Sequence, residues 1–181
     1  MRRVFDRLLF SGGRDWVCER ASGMTLEVAI GTGRNLGRYP AGVRLTGIDA
    51  SAAMLARAQR RADYLETTVV LREGDAECLA FPDDCFDSVV VTLALCTIPD
   101  DGAAVAEMAR VLRPGGKLLA LEHTASPRPL IRAVQGLANP LAGRSALGIT
   151  LRLGAHKPGP RASTPSPPAV AASGAPAHIG P

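Results

Sequence analysis

The fold of this chain is decided by residues 25–36, which read Thr25-Leu26-Glu27-Val28-Ala29-Ile30-Gly31-Thr32-Gly33-Arg34-Asn35-Leu36. The first half is an apolar run that predicts a buried strand, and the glycines predict a tight turn that opens a helix. Glu27 is unusual, because a charged side chain is rarely buried in a strand without a partner. A strand that runs into a glycine turn is typical of a nucleotide-type cofactor site at the carboxyl edge of a parallel sheet.

Apolar strands and amphipathic helices alternate along the rest of the chain. The apolar runs are residues 24–30, 43–48, 67–71, 88–95 and 117–121. Helices are predicted over residues 51–65 and 102–112, with Ser51 and Asp101 as their N-terminal caps, and residues 113–116 predict a turn. Because near-continuous apolar strands alternate with helices, we predict an α/β fold with a Rossmann-like, doubly wound, mostly parallel sheet.

The chain divides into three predicted segments. Residues 1–22 predict an N-terminal helical segment, broken at Gly12-Gly13, that covers one side of the core. Residues 23–140 form the predicted cofactor-binding domain, and they end with a possible helix over 128–138. Residues 141–181 form an atypical tail rich in proline, alanine and glycine, which we expect to be largely disordered. Within that tail the alternation over 147–153 is compatible with one strand.

Composition and charge exclude several classes of partner. Only 4% of the residues are aromatic, which argues against a base-stacking surface for nucleic acid. All 17 acidic residues lie at or before Glu122, so the net charge of +4 belongs to the last part of the chain rather than to the predicted domain. No apolar run approaches the roughly 20 residues of a transmembrane helix. The four cysteines form no CxxC pair, so we expect reduced thiols, a cytoplasmic protein and no metal site.

Small and acidic residues recur where successive predicted strands end. The second strand ends at Asp49, and a carboxylate there can accept both hydroxyls of a ribose. Asp75 follows the third strand and can accept a hydrogen bond from an exocyclic amine. Met54 can pack its apolar side chain against an adenine ring. Together they predict a site for an adenosine-containing cofactor.

In this combination the chain resembles the class I S-adenosylmethionine-dependent methyltransferases, of the group that includes the ubiquinone/menaquinone-biosynthesis and phospholipid N-methyltransferases. Residues 26–33 resemble the glycine-rich first motif, residues 45–51 the motif that follows it, and residues 112–118 the late motif. The resemblance covers roughly residues 13–140. It implies S-adenosylmethionine as the cofactor and a small-molecule or lipid-like methyl acceptor. It also implies the following cofactor-binding residues: Glu27, Ala29, Gly31, Thr32, Gly33, Asp49, Ala50, Met54, Asp75, Ala76, Thr92 and Leu93.

The chain departs from the family pattern at three places. Ala29 stands where the motif has its first glycine, and Cys96-Thr97 replaces a histidine pair that is common after the fourth strand. The atypical tail stands where the family continues through a sixth and a seventh strand. We therefore expect a sheet that lacks its usual last strands.

The resemblance implies direct displacement at a sulfonium methyl group. Glu27 is then expected to meet the cationic end of the cofactor, and the backbone of the glycine turn its carboxylate. His123 is the candidate base if the acceptor must lose a proton, because an imidazole suits proton transfer near neutral pH.

Two alternatives stay open at this point. The first is a NAD(P)-binding oxidoreductase, since Gly31 and Gly33 superficially fit a dinucleotide turn, although the chain has no Tyr-x-x-x-Lys pair and Glu27 would repel a pyrophosphate. The second is a truncated, non-catalytic methyltransferase-like binding module.

Overall fold

A computed structural model describes residues 12–124 and 149–158 of the 181-residue chain. The described part contains three α-helices and six strands. The helices are α1 (Gly13–Cys18), α2 (Ala52–Tyr64) and α3 (Asp101–Val111). The strands are β1 (Met24–Val28), β2 (Arg44–Asp49), β3 (Val69–Glu73), β4 (Phe86–Thr92), β5 (Leu112–Thr124) and β6 (Ile149–His156).

The six strands form one sheet in the order β3-β2-β1-β4-β5-β6. The first five pair in parallel, and β6 pairs antiparallel with β5. The chain moves outward from β1 to β3 and then returns to place β4 on the other side of β1. The strand order therefore reverses between β1 and β4, and a crevice opens there at the carboxyl edge of the sheet. The predicted Rossmann-like, mostly parallel α/β fold is confirmed.

Both faces of the sheet carry an apolar layer. On one face, Ala104 and Met108 of α3 pack against Leu26 of β1 and Val89 of β4. On the other face, α1 packs against β4 and β5 through a cluster that contains Val17. Because successive strand residues point to opposite faces, burying both faces requires continuously apolar strands, as the sequence has.

Three local predictions are wrong. No α-helix follows Gly33, where the chain forms only a 3-10 turn over Leu36–Arg38. Pro40 explains this, because a proline disfavours helical backbone in the residue before it. Helix α3 is capped by Asp100 rather than Asp101, since the Asp100 carboxylate accepts the Ala103 N–H at 2.8 Å. Residues 113–116 lie within β5, where they interrupt its pairing with β4, instead of forming a turn before the strand.

The strand predicted within the tail is present as β6. Its end is fixed by two backbone bonds, in which the Gly115 N–H donates to the Lys157 carbonyl and the Lys157 N–H donates to the Gly116 carbonyl. The predicted helices before residue 12 and over 128–138 lie outside the described residues, as does the tail from residue 159 onward. Within the described ranges, no helix is both long and apolar enough to cross a membrane.

Candidate cofactor site

A cleft lies at the carboxyl edge of the sheet, beside the ends of β1, β2 and β3. It holds about 550 Å³ of empty space, which includes space that is open to solvent. Its lining contains three carboxylates and no basic side chain. The lining residues are Ala29, Asp49, Ala50, Gly74, Asp75, Ala76, Glu77, Thr97, Ile98 and Pro99.

Asp49 connects the end of β2 to the glycine turn. One carboxylate oxygen accepts the Gly31 N–H at 2.8 Å, and the other accepts the Ser51 N–H at 3.0 Å. An ionised carboxylate offers about four lone-pair positions, so each oxygen keeps capacity for one more donor. Asp49 is therefore held in a fixed orientation and can still accept two hydroxyl groups.

Asp75 lies next to Asp49 because β2 and β3 are hydrogen-bonded neighbours. The Gly74 N–H donates to the Asp49 carbonyl at 3.1 Å, which carries the register one step beyond the strands. Asp75 is exposed, and one of its oxygens accepts the Glu77 N–H at 2.8 Å. Glu77 in turn accepts the Asp100 N–H at 3.0 Å, so the wall after β3 is tied to the start of α3.

The glycine turn needs its two glycines for different reasons. Gly31 has φ of +58°, and a side chain built there would meet nothing within 4 Å, so the backbone faces open space that a ligand can enter. Gly33 has φ of +68°, and its Cβ would lie 3.2 Å from the Cα of Ala58 in α2. The first glycine leaves room for a ligand, and the second lets the turn pack against a helix.

Glu27 lies in a buried hydrogen-bond network behind the cleft. Its side chain is 1% exposed. One carboxylate oxygen accepts the Asn35 amide at 2.7 Å, and the other accepts the Tyr39 hydroxyl at 2.8 Å. Asn35 also donates to the Thr92 hydroxyl at 3.0 Å, and Arg14 of α1 donates to both Asn35 and Thr92 at 3.0 Å.

Burial dominates the proton affinity of Glu27. It raises the pKa to about 7, against the hydrogen bonds from Tyr39 and Asn35 and the charge of Arg14, which lower it. Because a pKa of about 7 lies at neutral pH, small changes in these partners decide whether Glu27 is charged.

A second carboxylate, Glu122, organises the loop after β4. One of its oxygens accepts the N–H groups of Ala94 and Leu95 at 2.9 and 3.2 Å. Burial raises the pKa of Glu122, while these backbone bonds lower it. The loop continues into Thr97, Ile98 and Pro99, so Glu122 anchors one wall of the cleft from the end of β5.

The structure brings five of the predicted cofactor-binding residues into the cleft lining. They are Ala29, Asp49, Ala50, Asp75 and Ala76. Gly31, Thr32 and Gly33 form the turn beside them. Thr92 and Leu93 end β4, with Thr92 buried in the Glu27 network.

The remaining predicted residues do not line the cleft. Met54 lies in the first turn of α2 and is 38% exposed, and Glu27 is enclosed by its own hydrogen-bond partners. His123 pairs with Thr150 through the backbone of β5, and its side chain lies outside the described part of the structure.

Sequence reasoning missed Arg14 and Tyr39 and gave no role to Asn35. The one available signal was Glu27 itself, because a carboxylate buried in a strand must find donors.

The chain matches the family model described as "Methyltransferase domain" over residues 26–120, which is just over half of its length. The chain belongs to the methyltransferase domain family. The expected resemblance to the class I S-adenosylmethionine-dependent methyltransferases is confirmed. The matched range begins in β1 and ends within β5, so it contains the ends of β1, β2, β3 and β4 around the cleft.

Relatives of this methyltransferase domain include two curated enzymes. The phosphatidylethanolamine N-methyltransferase of Cereibacter sphaeroides is 42% identical over 115 residues, covering 62% of this chain and 57% of the relative. The ubiquinone/menaquinone biosynthesis C-methyltransferase of Paracoccus denitrificans is 37% identical over 124 residues, covering 65% of this chain and 49% of the relative. The chain thus spans about half the length of the curated relatives it matches.

Among solved structures, the YcgJ protein of Bacillus subtilis superposes with a TM-score of 0.60 at 31% identity, covering 69% of this chain and 55% of that chain. No group of three or more His, Cys, Asp or Glu side chains that could hold a metal ion occurs among the residues described for this methyltransferase domain.

Proposed function

We propose that the chain is the cofactor-binding and catalytic part of an S-adenosylmethionine-dependent methyltransferase that acts on a small, lipid-like acceptor. The observation that carries the proposal is the charge of the cleft, whose lining has three carboxylates and no basic side chain. Such a lining suits a ligand with hydroxyl and amine donors, a positive charge and no phosphate. S-adenosylmethionine has these properties.

The residues of the cleft fit this cofactor in chemistry and in placement. Asp49 has the free lone pairs for a ribose, and the neighbouring Asp75 can accept from the exocyclic amine of adenine. Ala29, Ala50 and Ala76 are small, so they leave space between the carboxylates. The open backbone at Gly31 can approach the ligand closely.

The cofactor, when bound, supplies a methyl group that is already activated by the positive sulfonium. The chain's own task is then to hold the acceptor in line with that methyl group and to exclude water. The loop that contains Thr97, Ile98 and Pro99 supplies a largely apolar wall for this purpose. His123 remains the candidate base by its position at the end of β5.

The class of acceptor follows from the relatives and stays a proposal for this chain. Two relatives are named for methylation of phosphatidylethanolamine and in ubiquinone and menaquinone biosynthesis. Both names point to molecules with long apolar parts. A cytoplasmic location is part of the same proposal.

The geometry argues against a dinucleotide cofactor. A pyrophosphate is normally held by the backbone N–H groups of the glycine turn. Here the Gly31 N–H already donates to the Asp49 carboxylate. The carboxylates of Asp75 and Glu77 line the same cleft. A doubly charged pyrophosphate would be repelled by these groups.

Calorimetric titration tests the cofactor assignment directly. We expect S-adenosylmethionine to bind and NAD not to bind. Asp49→Ala should weaken S-adenosylmethionine binding by at least about tenfold, because a charged contact to two hydroxyls is lost. Asp63→Ala is the matched control, since Asp63 is an exposed carboxylate that accepts the Gln59 side chain on α2. Equal affinity in the Asp49 and Asp63 variants would refute the ribose assignment.

Catalysis needs a separate measurement. The chain is incubated with S-adenosylmethionine labelled in its methyl group and with either the lipid or the aqueous fraction of a cell extract. Label that appears in a lipid product supports the proposed acceptor class, and label in an aqueous product contradicts it. Cofactor binding without any labelled product would favour the non-catalytic binding module.

A further inference from the structure

Arg14 fastens helix α1 to both sides of the crevice between β1 and β4. The side chain is 8% exposed, and its Nη1 donates to the Asn35 Oδ1 and to the Thr92 hydroxyl, each at 3.0 Å. Asn35 belongs to the segment after the glycine turn, and Thr92 ends β4. An ion pair between Asp15 and Arg38 joins α1 to the same segment a second time. Residues that are far apart in sequence are thereby locked together behind the cofactor site.

The contact between Arg14 and Asn35 fixes which way the Asn35 amide points. A guanidinium group only donates, so the atom of Asn35 that faces it must be the oxygen. The amide nitrogen is then directed at Glu27, to which it donates at 2.7 Å. If the amide turned over, its oxygen would face the Glu27 carboxylate and repel it. Arg14 therefore acts on Glu27 through Asn35 as well as through its own charge.

The groups around Glu27 make Arg14 the main counter-charge. Tyr39 donates to the carboxylate and Cys18 of α1 interacts with it electrostatically, and both are neutral at neutral pH because burial raises their pKa values. Arg38 interacts electrostatically with Cys18, and Glu122 of β5 interacts with Arg14. Arg14 is thus shared between two buried carboxylates, one on each side of β4.

We propose that Arg14 is a positioning residue, which orients the Asn35 amide and supplies the positive charge that together keep Glu27 ionised, so that its buried charge acts from behind the cleft on the cationic end of a bound ligand. Helix α1 is then a working part of the cofactor site rather than a cover for the sheet. Only the identity of the ligand in this inference rests on the proposed function.

The first test needs no ligand. The carboxyl carbon of Glu27 is titrated by NMR in the unliganded full chain, in the wild type and in Arg14→Met, Arg14→Gln, Arg14→Lys and Arg20→Met. Removing the charge should move the Glu27 midpoint upward by about one pH unit or more in Arg14→Met and Arg14→Gln. Arg14→Lys should restore it to within about half a unit, because the positive charge is kept.

Arg20→Met is the matched control, since Arg20 is an exposed arginine just after α1 that stacks on the Trp16 ring. Arg14→Gln keeps donors for Asn35 and Thr92, so it provides a result if Arg14→Met does not fold. A Glu27 midpoint that stays at the wild-type value in the neutral Arg14 variant would overturn the inference.

The second test measures the dissociation constant of S-adenosylhomocysteine from about pH 6 to pH 9. The ratio of the Arg14→Gln constant to the wild-type constant should be largest at the acidic end of this range, where it approaches about tenfold for a midpoint shift of about one unit. It should fall toward one at higher pH, as Glu27 ionises in both proteins. Comparing two proteins at each pH cancels the titration of the ligand. A ratio that is the same at every pH would show a merely structural role and overturn the inference. Failure of the wild type to bind contradicts the proposed function instead, and the titration of Glu27 alone then decides the role of Arg14.

Discussion

At the scale of single residues, two non-glycine residues at the carboxyl edge have left-handed backbone. Ala29 follows β1 with φ of +53°, and Leu93 follows β4 with φ of +56°. Left-handed backbone costs an ordinary residue roughly 1–2 kcal/mol, and glycine avoids this cost but loses about 0.5–1 kcal/mol of chain entropy. Ala29→Gly should therefore raise the free energy of unfolding by about 1 kcal/mol or less, as measured by urea denaturation.

Leu93 provides the contrasting residue. Its backbone is as strained as that of Ala29, but its side chain packs against the cluster that contains Val17 and Leu121. Replacing it by glycine removes that apolar contact. Full burial of a leucine is worth about 1.5–3 kcal/mol, and the half-buried Leu93 contributes a part of that. Leu93→Gly should thus lower stability although the backbone strain is relieved. A gain in stability at Leu93, or a loss at Ala29, would contradict this account of the two positions.

At the scale of elements, β5 holds the wall of the cleft through one side chain. Glu122→Ala removes the acceptor of the Ala94 and Leu95 N–H groups. An unsatisfied buried donor costs about 1–3 kcal/mol, so the loss of unfolding free energy should be about 2–3 kcal/mol. Glu122→Gln keeps an acceptor oxygen and should stay within about 1 kcal/mol of wild type. Urea denaturation compares the two variants, and an equal loss in both would show that the charge, not the loop anchor, matters.

The sequence predicts some helices and strands better than others. Helix α2 and the strands of the sheet were predicted because their apolar periodicity is local and strong, and Ser51 caps α2 as expected by accepting the Met54 N–H. The helix predicted after Gly33 is absent. The same glycine pattern occurs in turns that continue into a helix and in turns that do not. Pro40 was the available signal. The residues at the edge of the cleft were predicted from the strand ends, as Asp49 and Asp75 show.

The network behind the cleft could not be predicted in the same way. Arg14 meets its two acceptors across 21 and 78 residues of chain. No periodicity or spacing encodes such contacts, because they depend on how α1 is placed over the completed sheet. The sequence showed only that Glu27 required partners. Its enclosure by Asn35 and Tyr39 is a consequence of the tertiary structure.

At the scale of the whole molecule, two carboxyl groups have pKa values that are shifted in opposite directions. Each makes the stability depend on pH in a different pH range. Burial raises the pKa of Glu27 to about 7 from an ordinary value of 4.5, and the Arg110 side chain lowers that of Glu107 to about 2. Glu27 therefore binds its proton more tightly in the folded state. Its stabilising contribution is complete below pH 4.5 and is lost as the pH rises to about 7. Glu107 has the opposite sign, and its contribution is lost as the pH falls from 4.5 toward 2.

Glu27→Gln should remove the pH dependence of stability between about pH 4.5 and pH 7 and leave the pH dependence below pH 4.5. In the wild type, the Glu27 carboxyl lowers the free energy of unfolding by at most about 1.4 kcal/mol per pH unit across that range. Glu27→Gln has no titrating group there, so its stability relative to wild type should increase between about pH 4.5 and pH 7 and then stay constant. Any difference between the glutamine amide and the protonated carboxyl as hydrogen-bond partners of Asn35 and Tyr39 shifts this difference equally at every pH, so only the slope matters. Glu107→Gln is the control, and its difference from wild type should change only below about pH 4.5. Urea denaturation at several pH values measures both differences, and a Glu27→Gln difference that does not vary above pH 4.5 would mean that Glu27 is ionised throughout, as an ordinary exposed carboxylate is.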